Sequence, residues 1–157
     1  MLLFFIGKRK WAYYAYTRGL NMRNKYLKMD DKDITKMFIQ SFMMQVYTNA
    51  GNVSNMTYIM SDIAKTWRYI EPEGPIGDKN IEELGKHVKD VFQSCQILQK
   101  ETNKNMKIEN LPEDKESLEK LFNEVKDVSD EMSRKFDAFV KLYLDLSKIF
   151  FKEEYKK

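Results

Sequence analysis

Leu118, Val125, Met132, Phe139 and Leu146 stand seven residues apart, and Phe122, Phe136, Tyr143 and Phe150 each fall four positions after a member of that row. A seven-residue apolar repeat places all of these side chains along one stripe of an α-helix. The helix is expected from about Pro112 to Phe150, and at a rise of ~1.5 Å per residue it is roughly 57 Å long. A rod with one greasy stripe is marginal alone in water, so something else must cover it.

Most of the cover is expected from three further helices. Asp30, Asp31 and Asp33 offer N-cap side chains and first-turn negative charge, which start a helix that Gly51 is expected to end. Ile34, Met37, Phe38, Phe42, Met43, Val46 and Tyr47 cover most of its circumference, and a helix that apolar is expected to be central. A second helix begins near Ser54, with Met56, Ile59, Met60, Ile63, Trp67 and Ile70 on one face. The stretch Glu71 to Asp78 holds two prolines and two glycines, which break it.

From Asp78 a third helix carries Ile81, Leu84, Val88, Val91, Cys95 and Leu98 at alternating steps of three and four. It is roughly 37 Å long. Asn110 and Glu113, around Pro112, make a capping pair for the fourth helix. The reading is therefore all-α: a bundle of four main helices over residues 30–157, with a long C-terminal helix. The surplus length of that last helix must be covered by the N-terminal segment or by a different chain.

Residues 1–29 form the other unit, a basic and aromatic docking segment expected to be partly helical. They hold seven Lys or Arg and no acid, whereas residues 30–157 hold 20 basic against 24 acidic side chains, a net of −4. Leu2, Leu3, Phe4, Phe5 and Ile6 precede Lys8, Arg9 and Lys10, followed by Trp11, Tyr13, Tyr14, Tyr16 and Arg18. Apolar residues ahead of a cationic cluster reverse the order of a secretory signal, so the sequons at Asn52 and Asn55 are read as chance. As a membrane foot, the apolar five enter the acyl boundary while the cations meet anionic headgroups. Position 2 is Leu, so the myristoylation pattern fails. As a nucleic-acid arm, the cations neutralise phosphates and the rings stack on bases. An acid-free segment holding three of the five arginines also fits a mitochondrial address, although it lacks serine. As plain structure, residues 11–29 make another helix with Trp11, Tyr14, Ala15, Met22 and Tyr26 inward.

Catalytic chemistry finds little purchase. His87 is the only histidine and Cys95 the only cysteine, which leaves no second histidine for a di-iron site or a two-imidazole zinc site and no intramolecular disulfide. His87 flanks the seam and Cys95 lies on it, so an edge position and a packed thiol are expected. Gly74 to Lys79 has two residues where a Walker loop has four, and reads as a turn. Glu82-Glu83 and Glu153-Glu154 read as solvated pairs, and the methionines chiefly as core filling.

The chain is thus expected to be a non-catalytic accessory or scaffold subunit of a larger, membrane-associated complex. No cofactor, metal or small-molecule substrate is expected. Its partners are other protein subunits and an anionic membrane surface, in an intracellular and specifically mitochondrial setting. Docking is assigned to the N-terminal residues from Leu2 to Arg18 named above and to Tyr143, Phe150 and Phe151 of the last helix. A small nucleic-acid-binding protein using the basic arm is the alternative.

Overall fold

The computed structural model describes residues 31–154. The docking residues from Leu2 to Arg18 lie outside that range. Among the described residues the regular structure is entirely helical: α1 (Asp31–Ile70), α2 (Asp78–Lys104), a 3-10 turn (Ile108–Asn110) and α3 (Lys115–Glu154).

The expected break at Gly51 is absent, so the first two anticipated helices are one 40-residue rod. Ending a helix at glycine by the left-handed cap requires a positive φ there, and no described residue has one. Gly51 instead sits on the side of α1 that meets α2, where an added Cβ would lie 3.5 Å from Gln99 Nε2. The bundle therefore has three main helices among the described residues, not four.

The two ends of the bundle fix its topology. At one end Lys36 of α1 pairs with Glu113, just before α3, and Phe42 meets Phe122 with ring centroids 4.6 Å apart. At the other, Trp67 stacks on Phe150 at 5.4 Å. Hence α1 and α3 run parallel. Between them α2 returns antiparallel, with Arg68 Nε donating to Asp78 Oδ1 at 3.0 Å and Gln40 Nε2 donating to the Met106 carbonyl at 2.8 Å. At ~1.5 Å per residue α1 and α3 are about 60 Å long and α2 about 40 Å.

The long apolar row of α3 is buried throughout, and Leu84, Val91, Cys95 and Leu98 of α2 pack into the same core. On α1 the buried line is Ile39, Met43, Val46, Ala50, Val53, Thr57, Ser61, Ala64 and Trp67, again at steps of three and four. Two expectations fail here. The first half of α1 is not central, because Met37, Met44 and Tyr47 face water. In the second half, Met56, Ile59, Ile63 and Ile70 are exposed while Thr57, Ser61 and Ala64 are buried. The cause is continuity: an unbroken helix must keep one register, and the first half sets it. Thr57 tolerates burial because its hydroxyl donates to the Val53 carbonyl at 2.8 Å.

The connections hold as follows. Ile76 plugs the end of the core from the turn after α1. Gly74 donates to the Glu71 carbonyl at 2.9 Å, and a Cβ there would lie 2.8 Å from the Glu71 Cβ, so no side chain fits. α2 starts at Asp78 as expected, and the N–H of Gly77, the residue before its first turn, donates to Asn80 Oδ1 at 3.0 Å. For α3 the cap is Asp114, whose Oδ1 accepts from the Ser117 N–H at 2.8 Å. The anticipated Asn110–Glu113 pair does not form. Asn110 Nδ2 donates to the Lys104 carbonyl at 2.8 Å, and Glu113 takes Lys32 and Lys36.

Lys36 is only 5% exposed, so its ammonium depends on the Glu113 carboxylate. Hydrogen bonds from Lys32 and then Lys36 hold the Glu113 carboxyl down at about 2, below its ordinary 4.5. A depressed folded-state value means that the stabilisation is complete above the unfolded value and is lost as pH falls from about 4.5 towards 2. Denaturant titrations of wild type and Glu113→Gln are expected to differ at neutral pH, with wild type the more stable, and to converge in that acid window. Gly51→Ala is expected to raise stability by about 0.5–1 kcal/mol, because alanine suits a helix interior. A loss in that variant would show that the backbone at residue 51 is not helical.

Candidate interaction surface

Helical rows seven residues apart show which sides of α1 and α3 face each other. Phe42 touches Phe122, and its row continues through Asn49 to Met56, Ile63 and Ile70. Phe38 also meets Phe122, at 6.3 Å, and its row leads to Ile59. The exposed apolar residues of α1 named here therefore stand on its α3 side, away from the Gly51 and Arg68 contacts with α2. On α3, Phe151 lies edge-on to Trp67 at 6.1 Å, and Leu144 is one row position earlier. Together they rim an apolar groove at the Trp67 end of the bundle, with Ile59 57% exposed and Phe151 46% exposed.

The floor of that groove is an aromatic cluster. Trp67 lies 5.2 Å from Tyr143 and nearly parallel to Phe150, at an interplanar angle of 15°. Phe150 meets Phe151 at 5.3 Å and 76°. Of the three C-terminal docking residues anticipated, Phe150 is buried and Tyr143 half-buried in this cluster, and burial pushes the Tyr143 phenol above its ordinary value. Phe151 alone is exposed. The charges beside Leu144 and Phe151 are engaged locally, Lys148 with Asp145 at 3.0 Å. Such exposed pairs orient a partner more than they hold it.

Ile59, Ile63, Ile70 and Leu144 were absent from the anticipated docking set. A signal for part of them existed in the sequence. Residues 37–61 contain no Asp, Glu, Lys, Arg or His, in a chain where 32% of residues are charged. An outward helix face normally carries charge, as α2 does with exposed Glu82, Glu83, Lys86, Lys89 and Asp90. The exposed side chains of α1 over the uncharged run include Met44, Gln45, Thr48, Asn52, Asn55 and Tyr58. Neutral and soft groups of this kind suit protein contact better than an open water face.

Elsewhere the chemistry is quiet. Burial pushes the Cys95 thiol up to about 11, so it stays protonated at neutral pH as a packing group. His87 is half-buried beside Val88. Among the described residues no group of three His, Cys, Asp or Glu side chains converges as a metal site, and no helix is long and apolar enough to cross a membrane. No family model, curated protein or solved structure matches this chain.

The outward register of α1 is directly testable by paired substitutions. Ile59→Lys is expected to change unfolding free energy by less than about 0.5 kcal/mol. Ala64→Leu, on the core line, is expected to cost about 1–3 kcal/mol by overpacking. Denaturant melts giving the opposite order would place Ile59 in the core and undo the groove.

Proposed function

We propose that this chain is an accessory or scaffold subunit that docks into a larger protein assembly, using the apolar rim Ile59, Ile63, Ile70, Leu144 and Phe151 together with the aromatic and basic residues at its N-terminus. The observation that carries the reading is the inverted second half of α1: Thr57, Ser61 and Ala64 are buried while isoleucines at four-residue and seven-residue steps face out. Contiguous exposed apolar area of this sort marks interaction surfaces. The mechanism is burial of Phe151 and the isoleucines in a partner's grooves, with the paired rim charges setting orientation. Lys8, Arg9 and Lys10 add attraction to an anionic bilayer beside that partner, which is the reason for the membrane-associated placement, and the acid-free segment with three of the five arginines is the reason for the mitochondrial one.

The test is affinity purification of the full chain beside a version lacking residues 1–28 and beside the double variant Ile63→Lys, Phe151→Ser. Both variants are expected to lose the same stable companions, and retention by the wild type is expected to change little with added salt. A complex that weakens log-linearly and steeply with salt would instead mark phosphate contacts and a nucleic-acid partner. Retrieval of the same companions by both variants would refute the docking reading.

A further inference from the structure

The outer line of α1 runs from Met37 through Met44, Thr48, Asn52 and Asn55 to Ile59, all of them exposed. It lies opposite the buried line from Ile39 to Ala64, so it points away from both α2 and α3. Seven charged residues stand on α1. Lys32 and Lys36 turn to Glu113, Arg68 turns to Asp78, and Asp31 stands on the Phe38 row, towards α3. The other three border the outer line: exposed Asp33 near one end, and half-buried Asp62 with exposed Lys65, 3.2 Å apart, near the other.

Their placement is symmetric about one point, with the sign reversed. The uncharged run of residues 37–61 is centred on residue 49, and Asp33 and Lys65 each stand 16 residues from that centre. They also share a flank of the helix, because the 32 residues between them make close to nine turns. When two such helices are laid antiparallel across a twofold axis at residue 49, Asp33 of each copy meets Lys65 of the other, and the contact occurs twice. Laid parallel, the same two helices bring like charge against like charge. A partner without this symmetry matches one end only.

From this we infer that the chain pairs with a second copy of itself, outer face of α1 against outer face of α1, antiparallel about an axis beside residue 49. In that register Thr48 falls beside Asn52 of the other copy, Met44 beside Asn55, Ser41 beside Ile59, and Ile34 beside Ile63. Apolar groups cover the isoleucines towards each end, neutral hydrogen-bonding groups meet near the axis, and no unpaired charge is taken from water. Asp62 falls beside Met37 and keeps its Lys65 partner. The overlap from residue 33 to 65 is about 50 Å long, and a strip one helix wide covers about 500 Å² on each copy. That stands at the lower bound of a specific interface, so the pair forms reversibly with concentration. The inference rests on the docking reading for the outward isoleucines, and it names a second copy as what covers Ile59 and Ile63. Leu144 and Phe151, on α3, stay outside the pair.

Sedimentation of the full wild-type chain between about 1 and 100 µM tests this. The mass is expected to rise from 18.8 kDa to twice that value and to stop there, because a twofold interface closes on itself. Thr48→Lys sets two cations close to each other across the axis and is expected to raise the dissociation constant by about tenfold or more. Asp33→Lys or Lys65→Asp alone is expected to weaken pairing by about three- to tenfold, and the double exchange to restore it. A spin label on Met37→Cys, with buried Cys95 unreactive, reads the direction: copies of residue 37 lie about 37 Å apart when antiparallel and under about 20 Å when parallel. A chain that stays at 18.8 kDa throughout, growth past the dimer, equal pairing by wild type and Thr48→Lys, or the short label distance would each overturn the inference. Companions retrieved by a wild-type chain that never pairs would keep the docking reading and refute pairing. Pairing with no companions retrieved would do the reverse.

Discussion

The unbroken course of α1 through Gly51 determines most of what is seen. A helix 40 residues long has one rotational setting, and its first half is anchored by Ile39, Met43 and Val46 against the core. Continuing that line at steps of three and four brings Val53, Thr57, Ser61, Ala64 and Trp67 inward. The isoleucines at 59, 63 and 70 are off the line and have to face out. Thr57, Ser61 and Ala64 are buried on that line, and at its end Trp67 stacks on Phe150. Were the helix broken at residue 51, each half would be free to bury its own most apolar face.

The two ends of the bundle are secured by different physics. At the Asp31 end a buried lysine is held by an exposed carboxylate, a contact sensitive to acid. At the Ile70 end four aromatic rings pack on each other, and ring packing contributes about 0.5–1.5 kcal/mol per pair beyond area burial. Both clamps join α1 to α3, the pair that no short loop can connect because they run parallel. The intervening α2 and its two turns supply the return path, with Ile76 and Leu111 buried at either end.

Much of this was readable from residues alone. The row from Leu118 to Leu146, the seam from Leu84 to Leu98 and the breaking turn after Ile70 all stand where periodicity and turn chemistry place them. Gly51 misled because glycine permits a helix end without requiring one. The face of the second half of α1 misled for a related reason: hydrophobic periodicity ranks faces within a segment, whereas burial is decided by the register of the whole rod. Of the anticipated docking residues in the described part, Phe151 is exposed, while Phe150 and Tyr143 proved to be the partners of Trp67. The rim isoleucines were visible only as members of a supposed core face.

A surface that is apolar by consequence of register, on a helix with a run of 25 uncharged residues, is the physical basis of the docking proposal. The central claim beneath it is that α1 does not break. Native-state amide hydrogen exchange at residues 52–55, whose N–H groups reach back to carbonyls at 48–51 in a continuous helix, tests it most directly. Protection there equal to that of residues 46–50 and 57–61 is predicted. Fast exchange confined to residues 52–55 would mean two helices, a free second register and no reason for the isoleucines to face outward.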